Sequence, residues 1–202
     1  RVLFRSGTSS TVPSGWAFSE SGTGANTTYT AGTGSSATGD SYSFGSSSAS
    51  DRAFGGLLSG SLTPTIGASF TNNTGSTISS LLISYTGEEW RLGTRNRFDS
   101  LQFQLSTDAT NLTSGTWTRY TNLDFATPDT VGPSGPKDGN TTNERRAISY
   151  TITGLSITSG STFWIRWSDY NATSADDGLS VDDFSLTPTG ASPTITVSGT
   201  LN

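Results

Sequence analysis

Asp99-Ser100-Leu101-Gln102-Phe103-Gln104-Leu105-Ser106 is the stretch whose reading decides the fold class. Apolar and polar residues alternate strictly along it. In an extended chain this puts Leu101, Phe103 and Leu105 on one face and the two glutamines on the other. A helix would send Phe103 to the side opposite Leu101 and Leu105. Phe163-Trp164-Ile165-Arg166-Trp167 repeats the pattern, with Phe163, Ile165 and Trp167 on one face and Trp164 and Arg166 on the other. Ala147-Ile148-Ser149-Tyr150-Thr151-Ile152 alternates as well. Ser80-Leu81-Leu82-Ile83-Ser84-Tyr85 is more continuously apolar, as expected of a central strand. Turn signals separate these runs at Thr86-Gly87, Ser114-Gly115, Asp138-Gly139-Asn140, Thr153-Gly154 and Ser159-Gly160. No stretch of helical length carries a 3.6-residue apolar period. The expected fold is all-β: an antiparallel two-sheet β-sandwich, of jelly-roll type because so many strands exceed a minimal immunoglobulin domain.

The Gly/Ser/Thr-rich region from Ser19 to Ser50 and the segment after it read as two short strands, around Asp40–Phe44 and Ala53–Leu58, between long surface loops. Thr127 to Asn143, with Pro128, Pro133 and Pro136, reads as a long loop. The sandwich is expected to occupy residues 1–188, with 1–6 as junction sequence. Residues 189–202 read as a linker and the start of a following domain, since Thr194-Ile195-Thr196-Val197-Ser198-Gly199 alternates again. The parent protein is expected to be multidomain.

Composition removes whole classes of chemistry. The 202 residues include no His, no Cys and no Met. A Ser-His-Asp triad, a thiol nucleophile, a His-ligated zinc and a disulfide are therefore excluded within the chain. The net charge is −5 and the basic residues number 11, all Arg except Lys137. Arginines in an acidic chain pair with carboxylates more often than with phosphates, so no nucleic-acid partner is expected. No apolar run reaches membrane-spanning length and no signal peptide is seen, so membrane insertion is not expected.

The closing run from Ser168 to Leu186 is dense in acids. Asp169, Asp176, Asp177, Asp182 and Asp183 lie within it. Carboxylates packed this closely repel unless a cation, an Arg or water separates them. The segment is thus a hard-cation site, with calcium as the expected ion and these five Asp residues and Asn171 as candidate ligands, or an ion-paired structural loop. In a regular strand Asp182 and Asp183 would point to opposite faces, so both could serve one site only through a bulge. Glu88-Glu89-Trp90-Arg91 has the paired carboxylates that glycoside hydrolysis uses. Neighbours on a strand face opposite ways, however, so the structural reading is preferred: Trp90 packs, and Arg91 pairs with Glu89 or with an acid of the late loop. Sugar rings stack on flat aromatic faces, and Trp16, Trp90, Trp117, Trp164, Trp167, Tyr29, Tyr120 and Tyr170 are the candidates. Trp167 shares the apolar face of its strand and is assigned to the core. Trp164, Arg166 and Tyr170 are the candidate ligand-binding residues.

Phe70-Thr71-Asn72-Asn73-Thr74-Gly75, followed by Ile83-Ser84-Tyr85-Thr86-Gly87-Glu88-Glu89-Trp90-Arg91, resembles a signature of large secreted bacterial proteins. Phe163-Trp164-Ile165-Arg166-Trp167-Ser168-Asp169 with Asp176-Asp177-Gly178-Leu179-Ser180-Val181-Asp182-Asp183-Phe184-Ser185-Leu186 resembles its second half, and the likeness spans residues 16–188. Val181 to Leu186 is also similar to the last strand of carbohydrate-binding jelly rolls and of MAM domains. The resemblance implies a secreted or cell-surface module, found beside nuclease, adhesin or anchoring domains, with a structural calcium near that strand. The function expected is non-catalytic binding of a glycan or cell-surface polysaccharide, or surface attachment, in a calcium-stabilised module. A structural spacer or adhesin segment without a small ligand is the second reading, and a glycoside hydrolase the third.

Overall fold

A computed structural model describes residues 5–190. The expected linker and following domain beyond Gly190, and the first four residues of the expected junction, lie outside the described residues. In chain order the strands are β1 (Thr8–Ser9), β2 (Trp16–Ser21), β3 (Tyr29–Gly32), β4 (Asp40–Phe44), β5 (Ala53–Leu57), β6 (Thr63–Thr71) and β7 (Ile78–Leu92). They continue as β8 (Ser100–Ser106), β9 (Thr118–Arg119), β10 (Phe125–Ala126), β11 (Gly135–Pro136), β12 (Arg145–Ile157), β13 (Thr162–Asp169) and β14 (Gly178–Gly190). The only helical element among the described residues is a single 3-10 turn, Thr121–Leu123. The expected strands around Asp40 and Ala53 are present, and the proline-rich loop contributes only the two-residue β11.

Two sheets stack into a sandwich. One runs β1-β3-β4-β5-β14-β7-β11, with β12 also paired to β7, and the other runs β10-β8-β13-β6-β2, with β9 added at β8. Pairing is antiparallel except between β3 and β4, which run parallel, a departure from the fully antiparallel expectation. The last strand continues two residues past the sandwich boundary read from the sequence. β7 and β14 are the long central strands of the first sheet, and β13 is central in the second.

The alternation seen in the sequence is the alternation of the fold. Leu101, Phe103 and Leu105 of β8 and Phe163, Ile165 and Trp167 of β13 are buried between the sheets. Leu81, Ile83 and Tyr85 of β7 meet them from the other side. Trp167 is fully buried at the centre. Its ring stacks on Trp16 at 6.1 Å and meets Tyr85, Phe103 and Phe184 edge-on at 5.2–5.8 Å. Those partners come from four strands of both sheets.

A second, smaller core lies on the outer face of the first sheet. Phe54 faces the main core, so its register partner Ser43 does too, and Tyr42 and Phe44 point outward. Phe44 stacks on Trp90, and Leu57 completes the cluster. Gly139 lies against the Trp90 indole so closely that a Cβ there would be 2.4 Å from Nε1. The loop over residues 127–144 is therefore a lid on this second core, which is why a long segment without regular structure stays ordered.

Replacing Trp167 by Ala removes the ring that joins four strands. The expected loss is about 3–5 kcal/mol, read from urea unfolding. A loss under about 1 kcal/mol would show that the surrounding rings close the gap.

Candidate functional site

The site begins with a fault in β14. Val181 pairs with both Phe54 and Gly87, after which β5 no longer accompanies the strand. Asp182 pairs with Thr86, and the next register pair is Ser185 with Ser84. Two residues, Asp183 and Phe184, thus stand opposite one, Tyr85, which is a β-bulge. Asp183 takes the left-handed backbone conformation, φ 50°, uncommon outside glycine. The bulge breaks the alternation that would have parted the two carboxylates. Both Asp182 and Asp183 line a cavity of about 370 Å³ together with Trp16, Asp51, Arg52, Phe54 and Phe184.

Three aromatic rings wall this cavity. Trp16 meets Phe54 edge-on at 6.4 Å and Phe184 edge-on at 5.6 Å. Three carboxylates supply its polarity. Burial raises the Asp182 pKa to about 6, helped by the charges of Asp183 and Asp51. Asp182 Oδ1 accepts the Asp183 N–H at 2.8 Å. Arg52 does not neutralise the acids: its guanidinium donates to Ser43 Oγ and to the carbonyls of Gly32, Ser43 and Ser46. No ion pair among the described residues involves Asp51, Asp182 or Asp183.

The other expected metal ligands gather elsewhere. Asp169, Asp176 and Asp177 come together with Asp99, which the sequence reading did not single out. All four are buried, and burial raises the pKa of each, that of Asp99 to about 6. Local donors reach each of them, although Asp169 Oδ1 is buried without a hydrogen-bond partner. Asp99 Oδ2 accepts Asp177 N–H at 2.8 Å, and Asp177 accepts Gly93 N–H at 2.7 Å and the Thr127 hydroxyl at 2.8 Å. Asp176 accepts Ala172 N–H and Asp169 accepts Leu58 N–H. Arg97 is the cation beside them, 3.4 Å from Asp99 and 3.6 Å from Asp177. No group of three or more acidic side chains among the described residues is arranged to hold a metal ion. The five carboxylates expected as calcium ligands thus divide between two places, Asp182 and Asp183 at the bulge and Asp169, Asp176 and Asp177 beside Asp99. The bulge carries Asp182 and Asp183 away, and the remaining acids fasten loops through backbone N–H groups.

Glu88-Glu89-Trp90-Arg91 is tied into the fold by hydrogen bonds. Glu89 shares the inner face with its partner Leu179, and Glu88 lies on the outer face beside Ser180. Glu88 accepts the Trp90 indole N–H at 2.9 Å, and Glu89 accepts the Asp129 N–H at 3.1 Å. Burial raises the two pKa values to about 7 and about 9. Arg91 does not pair with an acid as expected; it donates to the carbonyls of Gly34 and Ser35.

Trp164, Arg166 and Tyr170 do not converge on one pocket. Trp164 and Arg166 lie on the outer face of the second sheet, both partly buried. Arg166 donates to Gln104 Oε1 at 2.6 Å and to the Leu112 carbonyl at 2.5 Å, and its guanidinium sits 4.0 Å above the Trp117 ring. Its donors thus secure the 107–117 loop over the sheet. Tyr170 follows the end of β13 and is half-exposed. Trp16 was one of several aromatic candidates in the sequence; Phe54, Phe184 and Asp51 were not. The available signal was the Asp pair inside an apolar strand, which regular pleating does not accommodate.

No protein-family model matches the chain, and no curated protein matches it. Similar solved structures include TmCBM61 in complex with β-1,4-galactotriose, at 11% identity and TM-score 0.36, covering 68% of this chain and 71% of that one. A structure described as CBM4 is 13% identical at TM-score 0.36, covering 88% and 96%. The enzymatically active domain of the bacteriophage CBA120 tailspike protein 4 is 13% identical at TM-score 0.41, covering 87% of this chain and 20% of that one.

The buried acids predict how stability follows pH. A carboxyl whose pKa is raised on folding binds its proton more tightly in the native state. Its stabilising contribution is complete below the ordinary Asp value of 3.8 and is lost as pH rises through the folded value. Asp40, Asp99 and Asp182, near 6, Glu88, near 7, and Glu89, near 9, set the window from about pH 4 to about pH 9. The melting temperature should be higher at pH 5 than at pH 8. Asp169→Asn, which removes a titrating group from the buried cluster, should raise the melting temperature at pH 8 and narrow that difference.

Proposed function

We infer that the protein is a non-catalytic glycan-binding module and that a sugar residue enters the cavity beneath the β14 bulge. The observation that carries the reading is the cavity itself: aromatic walls from Trp16, Phe54 and Phe184 beside three carboxylates that no basic side chain neutralises. The C–H face of a pyranose is apolar and packs on aromatic rings, while its hydroxyls donate to carboxylate oxygens. Concave sites with apolar walls and a few convergent polar groups are where small ligands bind. The uncompensated negative charge selects neutral sugars and disfavours uronates and sulfated glycans. A secreted or cell-surface setting belongs to the same proposal.

Hydrolysis is not part of it. Asp51 stands beside Asp182, and its charge helps raise the Asp182 pKa. A glycosidase needs its two carboxyls about 5 Å apart or more, on either side of the scissile bond. Calcium is not needed for the proposed contacts either, because aromatic faces and acceptor oxygens make them directly.

Titration calorimetry against a panel of neutral oligosaccharides tests the reading. Asp182→Asn should weaken binding roughly tenfold or more, the loss of a hydrogen bond to a charged acceptor. Trp164→Ala, on the outer sheet face, should leave the affinity unchanged. The opposite pattern would move the site to that face. No binding by the unmodified protein across the panel would favour the spacer reading.

A further inference from the structure

The chain's single lysine is not a surface lysine. The Lys137 side chain is only 9% exposed, and its Nζ lies 2.5 Å from Asp129 Oδ2 and 4.0 Å from Glu144 Oε1. Both ends of this contact are anchored to β7. The Lys137 N–H bonds the Trp90 carbonyl at 2.8 Å, and the Asp129 N–H bonds Glu89 at 3.1 Å. The second oxygen of Asp129 accepts two backbone donors, the N–H groups of Val131 at 3.0 Å and Gly132 at 2.9 Å. Gly132 closes over the pair: a Cβ there would sit 2.3 Å from Asp129 Oδ2 and 2.5 Å from Lys137 Nζ. Glu144 Oε2 is buried with no hydrogen-bond partner.

These are the parts an acyl condensation requires. An amine is held against a carboxyl. Two N–H groups are aimed at the oxygen that carries charge in a tetrahedral intermediate. A second acid stands within reach of the amine, and the Gly132 backbone covers one side of the pair. We propose that Lys137 and Asp129 join in an intramolecular amide bond between Nζ and Cγ. The ammonium and carboxylate first become amine and acid by transfer of one proton to Asp129 Oδ2. Nζ then attacks Cγ, and the electron pair of the C=O bond moves to Oδ1, where the Val131 and Gly132 N–H groups hold it. Glu144 takes a second proton from Nζ and delivers it to Oδ2. The Cγ–Oδ2 bond breaks, Oδ2 leaves as water with both protons, and the Cγ=O bond re-forms. One C–N bond is gained, one C–O bond is lost, and no oxidant or cofactor takes part.

Fixed juxtaposition gives the amine an effective concentration far above that of any free amine, which lets a slow condensation proceed. Burial raises the Glu89 pKa to about 9, so it adds no charge beside the pair; the first proton transfer is uphill, because the Lys137 contact holds the Asp129 pKa down at about 2. The bond would close the segment from Asp129 to Lys137 covalently over β7, in a chain that has no cysteine to form a disulfide.

Intact-mass measurement on the denatured chain decides it. The expected mass is one water below the sequence mass. Trypsin should release residues 120–145 as one uncleaved peptide, also one water light, because Lys137 is no longer a cleavage site. Lys137→Arg and Asp129→Ala should restore the full mass. Glu144→Gln, refolded and followed over time, should form the bond roughly a hundredfold more slowly. A full sequence mass for the folded, unmodified chain overturns the proposal. So does a water deficit that persists in Lys137→Arg, since that would mark an Asp-Gly succinimide, as at Asp138-Gly139.

Discussion

The sandwich depends on the ring of Trp167. It stands at mid-strand in β13 with no exposed surface and touches aromatic rings from β2, β7, β8 and β14. Few residues here are large and apolar, since only 31% of the chain is hydrophobic and Gly numbers 24. One indole therefore serves as the common contact of rings from both sheets. Small residues tolerate this because they let backbones approach. A Cβ at Gly87, for example, would run into the Phe125 ring at 2.3 Å.

That central contact also shapes the cavity. Phe184 reaches Trp167 and Trp16 only because the strand bulges one residue earlier. The gain from burying Phe184 against two indoles offsets the cost of a left-handed Asp183, and the same distortion swings Asp182 and Asp183 to one cavity. Packing on the inner face thus sets the electrostatics of the pocket on the seam.

Elsewhere the acidic chain handles its carboxylates by burial and backbone donors. Asp99, Asp169, Asp176 and Asp177 hold the 93–99 and 169–177 segments against the end of the sandwich through N–H groups, with Arg97 as their neighbouring cation. The 127–144 loop is organised differently, around Trp90 and the single lysine. Both regions are long irregular segments whose order comes from a few polar side chains that cross to a strand.

Strand faces were legible residue by residue. Leu101, Phe103, Leu105, Phe163, Ile165 and Trp167 occupy the face that their period-two spacing assigned, because pleating leaves an apolar face nowhere to go but between the sheets. That Glu88 and Glu89 part to opposite faces of β7 also followed from the sequence, because adjacent strand residues diverge. Which carboxylates meet did not follow. Asp99 lies 70 residues from Asp169 along the chain, so only the pairing of β8 with β13 brings them together. Asp182 and Asp183 share a cavity only because of a bulge fixed by aromatic packing across the sandwich. Lys137 meets Asp129 only because both ends of their loop are pinned to β7. Local periodicity determines which way a side chain points; register, bulges and loop anchoring determine what it meets, and those are settled by contacts between residues far apart in the chain.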